Sequence, residues 1–214
     1  MDGTLIDTEP HWIRAETEIC AEHGVVWTHD DGISLVGNPL DVTARLLQER
    51  GVDLEVPAII DALLVRVTAG IREHLPWQED ARRLLDRVVA RKIPCALVTM
   101  SYAFLADAFV EYCDVFAVVV TGENVANGKP HPEPYLTAAA LLGVPIERCL
   151  AIEDSPSGVR SALASGARTV GIRRLTPIDP LPGLSRVRTL DSLDDHQIMR
   201  IMGGATLDRL GAAA

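Results

Sequence analysis

The sequence predicts an α/β fold, a doubly wound parallel sheet with a block of helices inserted near its start. Three observations lead there. From about residue 76 short apolar runs alternate with amphipathic stretches. The runs are continuously apolar, as in Cys95-Ala96-Leu97-Val98, which is the pattern of strands buried on both faces. Residues 8 to about 75 follow a helical period instead.

In the helical segment, apolar positions recur at Ile13, Thr17, Cys20 and Ala21, then at Val42, Leu46 and Leu47. A third set is Ile59, Ile60, Leu63, Leu64 and Val67. Turn signals separate them at Gly24, Asp30-Asp31-Gly32, Gly37-Asn38-Pro39 and Gly51-Val52-Asp53. Beyond it, an amphipathic helix over 81–90 precedes a strand over 93–98. A helix over 102–110 precedes a strand over 115–120, and one over 134–142 leads to a strand at 149–152. A last helix over 157–165 leads to a strand at 169–172. Short right-handed crossovers between such strands give a doubly wound, Rossmann-like sheet. Past about Asp191 a polar helix is expected, with a frayed Ala212-Ala213-Ala214 end. The domain reading is therefore residues 1–7 and 76–214 as the α/β core, with 8–75 as a helical insertion.

At 214 residues and 48% hydrophobic, the chain can bury a sizeable core in one or two compact domains. Its formal charge of −10 repels nucleic acid and anionic lipid, so neither is an expected partner. A phosphorylated ligand would need a local positive focus, a cation or a lysine. The four cysteines, Cys20, Cys95, Cys113 and Cys149, form no metal-ligand spacing and sit beside apolar residues. They read as free thiols in a reducing compartment. No apolar run reaches the ~18–20 residues of a membrane span, and no leader pattern opens the sequence. A cytoplasmic monomer is expected.

Ligands of open α/β sheets bind beyond the carboxyl ends of the strands. The strand-end segments here are Thr99-Met100-Ser101, then Thr121-Gly122-Glu123 with Gly128-Lys129-Pro130, then Glu153-Asp154-Ser155. One sheet edge thus collects hydroxyls, an ammonium and two carboxylates. Hydroxyl and lysine suit phosphate oxygens, and paired carboxylates suit a hard cation such as Mg²⁺. Singly each has a plainer reading. A threonine ending a strand is commonly a helix cap, a lysine before proline a solvated turn residue, and Glu153-Asp154 a cap for the next helix. Their order and shared location give the set its meaning.

The chain opens with Met1-Asp2-Gly3-Thr4-Leu5-Ile6-Asp7-Thr8-Glu9. This resembles the DxDGTLxDTE signature of haloacid-dehalogenase-like hydrolases, and Thr99, Lys129 and Glu153-Asp154 match that superfamily's other motifs in order. Gly128 to Pro132 and Glu153 to Gly158 are similar to the subfamily containing phosphoglycolate phosphatase and β-phosphoglucomutase. The resemblance implies a Rossmann-like core, with the helical segment as cap domain. It also implies a Mg²⁺-dependent phosphohydrolase acting on a small phosphorylated metabolite through an aspartyl phosphate. Asp2 would be the acid/base, and Thr99 and Lys129 would hold the phosphoryl oxygens. Asp154, Glu153 and Asp2 would bind Mg²⁺. Met100, Ser101, Gly37 and His11 are further substrate-binding candidates.

The family's nucleophilic aspartate stands two positions before Asp2, and its central strand precedes it. Neither lies within residues 1–214. The expectation is a misplaced start at an internal methionine, no activity for the 214-residue chain, and a slot in the sheet between the strands ending at Val98 and Ile152. Two other functions stay open. One is a β-phosphoglucomutase-like isomerase, for which His11 lies near the cap hinge. The other is a non-catalytic binding protein.

Overall fold

The computed structural model describes residues 1–211, so the Ala212–Ala214 end lies outside the described residues. The chain forms two compact units, Asp7–Pro76 and Met1–Ile6 with Trp77–Ala214.

The first unit is helical: α1 (Glu9–Glu22), α2 (His29–Leu35), α3 (Leu40–Glu49) and α4 (Val56–Glu73). Pro10 and Pro57 sit in the first turns of α1 and α4, where no backbone donor is needed. A capping box starts α2: Thr28 Oγ1 accepts from Asp31 N at 3.1 Å, and Asp31 Oδ2 accepts from Thr28 N at 2.9 Å. The core is α4, whose Ile59, Leu63, Leu64, Val67 and Ile71 are buried where it packs on α1 and α3. On α1 the buried stripe is Ala15, Glu16, Ile19 and Cys20, whereas Thr17 and Ala21 are exposed. The periodic reading was therefore turned by part of a helical step. Glu16, outside that reading, is only 4% exposed. Val42, expected inward on α3, is exposed as well.

The second unit carries α5 (Glu79–Ala90), β1 (Cys95–Val98), α6 (Ala103–Val110), β2 (Phe116–Val120), α7 (Glu133–Leu142), β3 (Leu150–Glu153), α8 (Pro156–Ser165), β4 (Arg168–Ile172), β5 (Leu184–Val187) and α9 (Asp195–Met202). Every ladder is parallel. β1 pairs with β2 in one sheet, and β3, β4 and β5 follow in that order in another. Val170, Ile172, Val187, Leu190 and Leu193 form a core with Ala81 and Leu84 of α5. The sequence did not announce β5, because Leu184-Ser185-Arg186-Val187 reads as half polar. All four are buried. The Arg186 guanidinium tolerates this by donating to Ile178 O at 2.9 Å, Asp208 Oδ2 at 2.6 Å and Gly211 O at 2.7 Å.

No ladder joins β1 to β3 among the described residues. A cavity of about 560 Å³ is lined by Leu97 and Val98 of β1, Leu150 and Ile152 of β3, Leu5 and Tyr135. Met1 also lines it, and residues 1–6 close a tight turn there. Gly3 N donates to Ile6 O at 2.8 Å and Leu5 N to Met1 O at 2.8 Å. The four cysteines are free, and burial pushes the Cys20 and Cys113 thiols up to about 11. Among the described residues no helix is long and apolar enough to cross a membrane.

Burial raises the Glu16 carboxyl from 4.5 to about 7, with the Trp27 indole offsetting part of the rise and Glu9 adding to it. Neither Glu16 Oε2 nor Trp27 Nε1 completes a hydrogen bond among the described residues. The folded chain therefore holds a proton on Glu16 that the unfolded chain releases near pH 4.5. Stability should fall as pH rises from about 4.5 to about 7 and level off above, by up to about 3 kcal/mol for this group. Urea unfolding across that window, for the native chain and Glu16→Gln, checks it. The glutamine variant should lose this slope.

Candidate active site

Each strand of the core unit that ends near the turn of residues 1–6 delivers a polar group to it. Thr99 follows β1 directly and is fixed by its own N–H, which donates to Val120 O at 2.9 Å. Its hydroxyl lies 2.9 Å from Ser101 Oγ, and Ser101 Oγ donates to Asp2 Oδ2 at 2.5 Å. Because the serine proton goes to the carboxylate, Thr99 is the donor to Ser101. Ser101 N in turn donates to Thr99 Oγ1 at 3.1 Å. The run Thr99–Ser101–Asp2 is thus a directed hydroxyl chain ending on a carboxylate.

Lys129 comes from the loop between β2 and α7. Its Nζ donates to Val98 O at 3.0 Å and to Glu153 Oε1 at 2.5 Å, with both side chains under a tenth exposed. Its backbone N–H meets Met100 Sδ at 3.4 Å, so Met100 braces the lysine turn. Glu153 Oε1 also accepts from the Tyr135 hydroxyl of α7. Burial first, then the Glu153 charge, push that phenol well above its ordinary value, so it remains a donor. Ser155 caps α8 by accepting from Gly158 N at 3.0 Å. Gly158 is required there: a Cβ would stand 2.0 Å from Glu153 Oε2.

Asp154, one residue on, accepts from Thr4 Oγ1 at 2.6 Å. Burial raises its carboxyl above the ordinary value, and the Thr4 hydroxyl and Met1 ammonium offset part of this. Gly3 stands so close that a Cβ would be 1.9 Å from Asp154 Oδ2, and its φ of +70° is the left-handed one glycine accepts.

Asp2, Thr99, Ser101, Met100, Lys129, Glu153 and Asp154 therefore gather at one edge of the core unit. Glu153, expected at a metal with Asp154, instead gives its carboxylate to Lys129 and Tyr135. His11 and Gly37 belong to the helical unit. His11 Nε2 lies 3.0 Å from His74 O, and Gly37 takes a φ of +83° beside open space. Sequence reasoning missed Thr4 and Tyr135. Thr4 stood inside the opening motif unassigned, and the only signal from Tyr135 was a phenol on an otherwise apolar helix.

A hard cation fits this donor chemistry in part. Among the described residues there is no group of three or more His, Cys, Asp or Glu that could hold a metal ion. Mg²⁺ is commonly held by one or two carboxylates, with waters and substrate phosphate completing its shell. The buried, raised Asp154 carboxyl is the group such a cation would relieve, with Asp2 beside it.

Hydroxyls, a lysine and a burial-raised carboxylate thus meet at the carboxyl ends of parallel strands, where open α/β sheets bind their ligands. The chain belongs to the family of haloacid dehalogenase-like hydrolases, whose sequence model matches residues 1–172. It is 30% identical over 207 residues to hexitol phosphatase A of Escherichia coli K12, covering 95% of this chain and 94% of that one. It is 29% identical over 181 residues to the fructose-1-phosphate phosphatase YqaB of the same organism, covering 82% and 94%. Among solved structures, CbbY from Rhodobacter sphaeroides in complex with phosphate is similar with a TM-score of 0.74 and 27% identity, covering 89% and 92%.

Gly158→Ala should drive the Glu153 carboxylate off Lys129 and Tyr135. Forced overpacking costs about 1–3 kcal/mol, so urea unfolding should show a loss of at least that size. An unchanged midpoint would mean that Glu153 does not hold the position described.

Proposed function

We propose that this chain is a Mg²⁺-dependent phosphatase of small phosphomonoesters, sugar phosphates first among them, with the Asp7–Pro76 unit acting as its cap. The observation that carries the reading is the gathering of Asp2, Thr99, Lys129 and Asp154 at one sheet edge. The relatives named as fructose-1-phosphate and hexitol phosphatases support the substrate class.

In this reading Lys129 and the Thr99 hydroxyl hold phosphoryl oxygens and neutralise charge that grows in the transition state. Glu153 and Tyr135 keep the lysine ammonium aimed. Asp2, oriented by Ser101, gives a proton to the ester oxygen as the P–O bond breaks, then takes one from the attacking water. Asp154 and the backbone carbonyl of Asp2 would hold Mg²⁺, which when bound would neutralise phosphate charge. The family's chemistry calls for a nucleophilic carboxylate two positions ahead of Asp2, a position outside residues 1–214. Of the substrate-side candidates, Met100 acts through the lysine turn, while His11 and Gly37 lie on the helical unit.

The test compares two proteins on a panel of sugar phosphates, with and without Mg²⁺. One is the 214-residue chain. The other carries a short apolar segment ending in aspartate, joined directly ahead of Met1. Mg²⁺-dependent phosphate release is expected from the extended protein and not from the shorter one. In the extended protein Asp154→Asn should abolish it, and Lys129→Met should cost about 3–4 kcal/mol of transition-state stabilisation, as for loss of an oxyanion donor. Near-normal turnover in either variant overturns the reading. An isomerised sugar phosphate in place of free phosphate would assign a phosphomutase.

A further inference from the structure

We propose that Arg174, just past β4, is a positioning residue that holds the Asp2 turn by clamping the carbonyl of Gly3. The proposal rests on the phosphatase reading for its consequence but not for its geometry.

Arg174 Nε donates to Gly3 O at 3.2 Å, one peptide beyond Asp2. Its two terminal nitrogens face Asp80, at 2.7 Å to Oδ1 and 3.2 Å to Oδ2. The arginine and aspartate side chains are 14% and 9% exposed. Asp80 in turn accepts from Leu190 N at 2.8 Å and Thr189 Oγ1 at 3.0 Å. Burial opposes its ionisation, yet Arg174, the Leu190 N–H and Thr189 outweigh it and hold Asp80 below its ordinary value. Asp80 also lies in the first turn of α5, where a negative charge is favoured. The guanidinium is therefore fixed by two elements before it reaches the turn.

Three of the five guanidinium N–H donors are committed to protein acceptors, one to Gly3 and two to Asp80. What the arginine does hold is a turn with few outside anchors. Asp2 is held by Ser101, Thr4 by Asp154, and Leu5 O by Gln78 N at 2.8 Å. The Gly3 carbonyl is a further anchor, held by Arg174. Only a planar fork can grip Asp80 with its end and Gly3 with its side, and a lysine ammonium cannot do both at this geometry.

Loss of the clamp should let Asp2 wander from the leaving oxygen, an error of the kind that costs on the order of 10²-fold in rate. Substrate contacts are untouched, so kcat should fall with KM little changed. The decisive variant is the double change Arg174→Met with Asp80→Asn, which removes the clamp without stranding a buried charge. Asp80→Asn alone strands the buried Arg174 charge and should lower stability as well as kcat, and Arg174→Lys should recover only part of the loss. Hydrogen exchange on the 214-residue chain should show the peptide covering residues 1–8 exchanging faster in the double variant, with the β3–β5 sheet unchanged. Unchanged exchange in that peptide overturns the clamp whether or not the protein turns over substrate. In the extended protein, a double variant with native kcat overturns it too, provided Asp154→Asn is dead. If Asp154→Asn is active, the phosphatase reading fails and the exchange result alone decides the clamp.

Discussion

The site depends on one buried ammonium. Lys129 Nζ touches the last carbonyl of β1 and the last side chain of β3, so one cation ties the ends of two sheets that share no ladder. A lysine so buried is tolerable only with a carboxylate beside it, and Glu153 is that partner. Removing one member of such a pair strands the other, at a cost of about 3–5 kcal/mol. Tyr135 then takes up a lone pair that Lys129 alone would leave unused. The same cluster sets where the amino group points, which is what a phosphoryl group would meet. Structural cohesion, and in the proposed reading anion recognition, rest on the same three side chains.

The acidic balance of the chain sharpens this. A net charge of −10 disfavours any phosphorylated ligand at long range, so attraction must be local. Burial supplies the locality, because a charge in low dielectric acts more strongly over short distances than one on the surface. The exposed ion pairs of the helical unit, such as Arg14 with Glu18, do nothing comparable.

How much of this could be read beforehand divides by mechanism. Continuous apolar runs bounded by turn signals gave β1 to β4 to within about two residues, although β1 and β2 leave most of their residues part-exposed. Leu184–Val187 hid because a buried, fully partnered arginine looks the same in sequence as an exposed one. On α1 the buried stripe takes in Glu16, a carboxyl that burial raises to about 7 and that no apolar pattern picks out. At the site, Asp2, Thr99, Lys129 and Asp154 were legible from strand-end order and from the family motifs. The partner of Glu153 was not, since which neighbour a carboxylate chooses depends on side-chain geometry across 24 positions to Lys129 and 18 to Tyr135.

The turn at residues 1–6 shows why the unread part matters. Its glycine admits the close approach of Asp154, and the same lack of a side chain leaves the backbone soft. A left-handed glycine has more freedom to lose than any other residue. Rigidity must therefore come from outside the motif. The hydroxyl of Ser101 restrains the Asp2 side chain, Thr4 ties the turn to Asp154, and the Arg174–Asp80 pair restrains the Gly3 peptide. The motif names the groups that do chemistry, but residues remote in sequence hold them still. A chain keeping the opening motif and losing that outer support would keep its signature and lose the geometry the signature stands for.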